Sequence, residues 1–338
     1  MRIGAFLLGP GVPGRHHAEV LDTTVAAAVA AEEAGFDDVW VAEHHFMTYG
    51  LVPSAVTLAG YLLGATRRIA VGTAVSVLST QHPVALAEQA LLLDNVSGGR
   101  FRLGVGRGGP WQDLEVFGTG ADAVGPGFPE SLDLLLATLR GPAVAGTGPR
   151  YRFREVDVVP RPRTRPHPPV VLAVTTRASV ALAAERGLPM LLGMHAEDAE
   201  KAEFVRAFVR EHGGPGPHVS AALAYVADTR AEALATVREA LPRWLGPGLA
   251  GYRRLDGATG SPRDPVAYTE ELIHRHGVGT PDDAVAALAG SAARTGIRHV
   301  LLMVEGAGDR ARTCENIRRL GEEVLPRLRS SASAEPPS

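Results

Sequence analysis

The feature that most restricts what this chain can fold into is a recurring alternation of short apolar runs and helical stretches. Residues 2–8 form an apolar run, and a Gly/Pro loop at 9–14 leads to a helical pattern over 20–34, which Gly35 closes as a C′ residue. The same order recurs with a strand at 37–42 and helix at 53–65, a strand at 69–78 and helix at 83–93, and a strand at 100–106. Units of about 30 residues are what parallel strands joined by crossover helices require. The alternation resumes with strands at 170–174, 190–192, 219–227 and 300–304, and with helices at 178–186, 200–211, 232–244, 282–294 and 315–328. Eight such alternations favour a closed (β/α)8 TIM barrel with insertions over an open doubly wound sheet. A helix is expected at 132–139, and the Pro- and Arg-rich residues 151–169 read as an extended excursion or small hairpin.

A barrel of this kind uses about 250 residues or more, so 338 residues fit one domain over 1–329 with a disordered tail at 330–338. Residues 246–279 are rich in Gly, Pro and Arg and read as an insertion or mobile lid. A net charge of -3 gives no basic footprint for nucleic acid. No apolar run reaches membrane-spanning length and no signal-type segment opens the chain, so a cytoplasmic protein is expected. The single cysteine, Cys314, excludes an internal disulfide and a Cys-based metal site. Lys201 is the only lysine, which with the many Ala, Gly and Pro residues points to a GC-rich genome.

Chemistry is expected at the carboxyl ends of the strands, where loops form the active face of α/β folds. The strand at 37–42 ends in Glu43, His44 and His45, which are candidates for catalysis or, more blandly, a strand cap. Residues 104–109, Gly-Val-Gly-Arg-Gly-Gly, follow the fourth strand. They form either a plain turn or a loop whose backbone approaches a ligand while Arg107 meets a phosphate. The spacing is not that of a dinucleotide fingerprint. Thr175, Thr176 and Ser179 after the fifth strand are either N-caps or a phosphate seat at a helix start. Together these sites suggest one phosphorylated cofactor across the barrel mouth. A Gly-x-Ser-x-Gly elbow and a His-Glu-x-x-His motif are both missing, and no metal site is expected.

Ala42-Glu-His-His-Phe46, Val71-Gly-Thr-Ala-Val-Ser-Val-Leu78, His82-Pro83 with Glu88, Gly99-Arg-Phe-Arg-Leu-Gly104 and Val116-Phe-Gly118 resemble, in order and spacing, the bacterial-luciferase-like flavin-dependent monooxygenases. The resemblance implies a (β/α)8 barrel that binds reduced FMN and activates O2 as a flavin hydroperoxide. It implies that His44 is the catalytic imidazole, that Arg107, Thr176 and Ser179 hold the FMN phosphate with Thr175 beside them, and that Ala74-Val75 is a non-prolyl cis peptide under the flavin ring. Asp113 resembles a residue near the flavin, and Gly106 stands where luciferases carry a reactive thiol. His45, His82 and Glu88 resemble residues that meet across a subunit interface, so a homodimer is expected. A further phosphate-binding arginine of the family is replaced by Gly125. The implied function is oxygenation of a small organic substrate, such as a secondary metabolite, with FMNH2 supplied by a separate NAD(P)H:flavin reductase. The alternatives are a deazaflavin-dependent hydride-transfer oxidoreductase on the same fold and a non-catalytic flavin-binding partner subunit.

Overall fold

The computed structural model describes residues 1–253 and 263–330. In chain order the first half contains β1 (Arg2–Leu7), α1 (His17–Glu33), β2 (Asp38–Val41), α2 (Ala55–Ala65), β3 (Ala70–Thr73), β4 (Ser76–Val77), α3 (Pro83–Val96), β5 (Phe101–Gly106), α4 (Trp111–Val116) and α5 (Gly127–Arg140). There follow β6 (Ala143–Thr147), β7 (Arg152–Asp157), β8 (Val170–Val174), α6 (Arg177–Glu185), β9 (Met190–Leu192), α7 (Asp198–His212) and β10 (Val219–Val226). The last part is α8 (Arg230–Ala250), α9 (Pro265–Arg275), β11 (Gly277–Gly279), α10 (Pro281–Thr295), β12 (His299–Met303), α11 (Arg310–Arg319) and α12 (Leu325–Ser330).

Eight parallel strands close into the expected ring, β1-β2-β3-β5-β8-β9-β10-β12, with β12 pairing back onto β1. Along each strand alternate side chains face opposite ways. Trp40, Val171, Leu191, Val219 and Leu301 pack inside the ring. Ile3, Ala5, Leu7, Val39, Leu103 and Leu172 face the surrounding helices. At the base Asp38 is fully buried, accepts from Arg2 at 2.7 Å and lies 3.1 Å from His299 Nε2, joining β1, β2 and β12. No helix among the described residues is long and apolar enough to cross a membrane.

The punctuation read from the sequence sits where local chemistry needs it. Gly35, at φ 77°, follows the end of α1 in the left-handed region, where a Cβ would be strained. Pro83, Pro265 and Pro281 each open a helix, where the missing N–H is no loss. The excursion at 151–169 contributes β7, which pairs antiparallel with β6 as a hairpin.

Two expectations are corrected in detail. The run 69–78 is not one strand: β3 stops at Thr73 and β4 resumes at Ser76, with a cis Ala74-Val75 peptide between them. The stretch 246–279 is largely packed structure within the described residues. Ala250 ends α8, and α9 buries Tyr268, Thr269, Leu272 and Ile273. Gly277–Gly279 adds β11 alongside the upper half of β10. Glycine and proline content suggests loop, but the buried positions of α9 recur at helical spacing and give it a core-facing stripe. Residues 254–262 of the expected lid and 331–338 of the expected tail lie outside the described residues.

The only lysine is also a core residue. Lys201 is 2% exposed, and its Nζ donates to Ser220 Oγ at 2.8 Å and to the Ala221 carbonyl at 3.3 Å. Burial lowers its pKa from 10.5 to about 8, with Asp198 opposing that shift. Between those values the unfolded chain binds more protons than the folded one, so stability rises with pH. The expected result is that wild type gains on Lys201→Met by roughly 3 kcal/mol in total between pH 8 and 10.5. Urea unfolding at several pH values checks this; a pH-independent difference would contradict it.

Candidate active site

Directly beyond β2 the chain places Glu43, His44 and His45 at the carboxyl-end face of the ring. Glu43 is buried and makes two backbone contacts. Val77 N–H donates to its Oε1 at 2.9 Å, and Ala55 N–H donates to its Oε2 at 2.9 Å. One carboxylate therefore fixes the start of α2 and the β4 segment after the cis peptide, and meets one of the unpaired N–H groups of a helix start. His45 Nε2 lies 3.4 Å from Glu43 Oε1, and the His45 ring packs edge-on against Phe117 at 4.9 Å.

His44 turns another way, with its ring edge-on to Tyr49 at 5.0 Å. Its Nδ1 is buried without a hydrogen-bond partner. Gly50 permits this approach, because a Cβ there would lie 2.7 Å from His44 Nδ1 and 2.6 Å from the Leu8 carbonyl oxygen. Burial, with the nearby charge of His45, lowers the His44 pKa to about 4. Its imidazole is thus neutral at pH 7 and able to take a proton. Asp113 on α4 shows the reverse shift: burial raises its pKa to about 6, with Glu43 adding to the rise and His45 opposing it. Its Oδ1 is buried and unpartnered.

The floor beside these groups is formed by Ala74 and Val75, which carry the cis bond. Beneath them β3 and β5 approach closely. Thr73 Oγ1 donates to the Gly104 carbonyl at 2.7 Å and accepts from Gly104 N–H at 3.0 Å. A Cβ on Gly106 would meet Val75 Cγ2 at 2.5 Å, so this backbone leaves no room for a side chain at that position. Across the ring β8 ends just before Thr175. Thr176 then caps α6, accepting from Ser179 N–H at 3.2 Å, while Ser179 Oγ accepts from Thr176 N–H at 3.0 Å. This is a complete capping box, and Thr175 and Thr176 are exposed at the helix start.

Among the expected site residues, His44, Ala74, Val75, Asp113 and Thr175 line one cavity of about 310 Å³. Gly106 is buried beneath that floor, and Arg107, Thr176 and Ser179 do not line the cavity. Arg107 is exposed; its carbonyl accepts from Ser79 Oγ at 2.5 Å, and its guanidinium has no ion-pair partner among the described residues. Glu43 and His45 also face the cavity, as do four residues the sequence reading does not single out: Tyr49, His195, Tyr252 and Tyr268. Tyr252 and Tyr268 come from the stretch read as a lid. The remaining wall is mostly apolar and includes Phe6, Leu8, Met194, Ala221 and Leu301. Among the described residues no group of three or more His, Cys, Asp or Glu side chains is arranged to hold a metal. An apolar chamber with a neutral imidazole and a weakened acid on one side suits an organic reaction shielded from water.

A family model described as luciferase-like monooxygenase matches residues 1–299. The alkanal monooxygenase alpha chain of the Kryptophanaron alfredi symbiont is 28% identical over 356 residues, spanning 98% of this chain and 100% of its own. The crystal structure of a monooxygenase from Streptomyces bottropensis matches with a TM-score of 0.83 at 25% identity, over 96% of this chain and 99% of that one. The oxygenating constituent of 3,6-diketocamphane monooxygenase from Pseudomonas putida, solved in complex with FMN, shares the fold with a TM-score of 0.77 at 22% identity, over 96% and 98% of the two chains.

The Glu43 contacts carry a direct test. In Glu43→Gln one of the two backbone N–H groups must face an amide NH2 instead of an acceptor. The expected loss is about 1–3 kcal/mol of stability, the usual cost of a buried unsatisfied donor. Urea unfolding measures it, and a variant as stable as wild type would show that these contacts do not hold the floor.

Proposed function

The chain belongs to the luciferase-like monooxygenase family, and from that premise we propose that it is an FMN-dependent monooxygenase acting on a small organic substrate. The observation that carries this reading is the apolar cavity over Ala74-Val75 with His44 in its wall. Its residues fit the cofactor. The flat floor of Ala74 and Val75, with Ala173 and Leu191 beside it, matches an isoalloxazine face. Arg107, with no ion-pair partner among the described residues, and the exposed start of α6, with Thr175, Thr176 and Ser179, match a phosphate.

Bound reduced FMN supplies the electrons that activate O2. The overall reaction takes FMNH2, O2 and substrate to FMN, water and oxygenated substrate. His44, neutral at pH 7, accepts a proton at its imidazole as the reaction proceeds, and Asp113, whose pKa burial raises to about 6, holds or returns one. The walls from Leu8, Met194 and Leu301 exclude water. A separate NAD(P)H:flavin reductase as the source of FMNH2 is supported by the lack of a dinucleotide fingerprint at residues 104–109. A homodimer packed through α3 is supported by the outward placement of Glu88 and His82 on and before that helix. A substrate from secondary metabolism completes this reading.

Replacing Arg107 by Ala should weaken FMNH2 binding about 10–100-fold, the loss of a charge-assisted contact. Unchanged affinity would place the phosphate elsewhere. His44→Ala should lower single-turnover product from pre-reduced FMN by about 10²–10⁴-fold, with far less effect on FMNH2 affinity. Mass spectrometry under 18O2 should show label in the product. Turnover with reduced deazaflavin and no O2 would instead identify a hydride-transfer enzyme.

A further inference from the structure

A second set of polar residues lines the same cavity. His195 follows β9, which stands four places from β2 in either direction around the ring. Tyr268 reaches the cavity from α9 and is 4% exposed. Tyr49, whose ring is edge-on to His44, lines the cavity as well, with its ring 5.8 Å from Trp244 of α8. The guanidinium of Arg263 sits 4.9 Å from the centre of the Tyr268 ring. Among the described residues no carboxylate lies within ion-pair distance of Arg263.

These groups have one property in common: each offers a hydrogen to a ligand. Guanidinium N–H groups cannot accept, and phenols in an apolar surround donate most favourably to a charged oxygen. The half-buried Tyr49 and the buried Tyr268 both line the cavity, so their side chains are within reach of a ligand there. The charge of Arg263 is felt throughout the corner. Burial raises the Tyr49 and Tyr268 pKa values, and Arg263 opposes both rises; burial lowers that of His195, and Arg263 adds to the fall. Arg263 is exposed and does not itself line the cavity, but it stacks on the face of Tyr268, which does, and a cation so placed is suited to draw an anion to that wall.

We propose that Arg263, Tyr268, Tyr49 and His195 form a recognition site for an anionic oxygen carried on an otherwise apolar substrate. The oxygen belongs to a carboxylate or to the ionised hydroxyl of a phenol or enol. That this ligand is the substrate rests on the monooxygenase reading; its binding does not require flavin. The site thereby selects and orients the substrate by its charged end, leaving the apolar body against Leu301, Ala221 and the floor.

The test uses the flavin-free full-length chain, titrated by calorimetry with 4-nitrophenolate against nitrobenzene and with benzoate against benzamide. In each pair the anion is expected to bind at least about tenfold more tightly than its neutral counterpart. Arg263→Gln should remove about 10–100-fold of anion affinity and leave the neutral probes unchanged, while Tyr268→Phe gives a smaller loss. Arg318→Gln, on an exposed face of α11, controls for general charge and should change nothing. Phenolate preference without benzoate preference, or the reverse, decides which oxyanion the site takes. Equal binding of anions and neutral probes, or unchanged anion affinity in Arg263→Gln, would overturn the proposal. So would displacement of the probes by equimolar inorganic phosphate, which would assign the corner to the cofactor. Lost anion binding with intact oxygenation by reduced FMN sinks this inference alone. Retained anion binding without oxygenation sinks the monooxygenase reading alone.

Discussion

The carboxylate of Glu43 is the contact on which the rest of the site depends. It leaves the end of β2, accepts from the first turn of α2 and from β4, and lies beside His45. Three chain segments that meet only in the folded ring are thereby held by two charge-assisted hydrogen bonds, which are stronger than neutral ones. The position of Ala74-Val75 relative to His44 follows from that arrangement. A carboxylate is suited to this task because both oxygens accept and neither must donate.

Closing the ring then sorts the chemistry. Residues facing the helices form a continuous apolar layer, while those facing inward fill the base with Trp40, Val171, Val219 and Leu301. The polar groups are left at the carboxyl-end mouth, where burial works in opposite directions on an acid and a base. It lowers the His44 pKa to about 4, leaving that imidazole neutral at pH 7, and raises the Asp113 pKa to about 6. Glu305 shows the structural use of the same chemistry. Its buried carboxylate accepts from Leu8 N–H, Gly9 N–H and Thr24 Oγ1, anchoring the loop after β1 that lines the cavity.

Legibility in the sequence follows the range of the interaction concerned. The alternation of strands and helices is readable because each unit must bury its own apolar face, and Gly35, Pro83 and Thr176 are readable because caps act within a few residues. The break at Ala74-Val75 comes only through family resemblance, since the alternation of 69–78 continues across it as though the strand were whole. The cavity role of Glu43 is not visible, because its partners are 12 and 34 residues away. Tyr268 and His195 escape notice for the same reason, and α9 is hidden by the glycines and prolines around it. What places these residues together is ring closure, which carries no local signal.

A crystal structure of the protein with FMN tests the central claim, that the floor fixed by Glu43 is the seat of the flavin. The expected result is an isoalloxazine ring against Ala74-Val75, beside His44, with the phosphate at Arg107 and the start of α6. A ring bound away from that peptide, or a phosphate held by Arg263 and Tyr268, would contradict it.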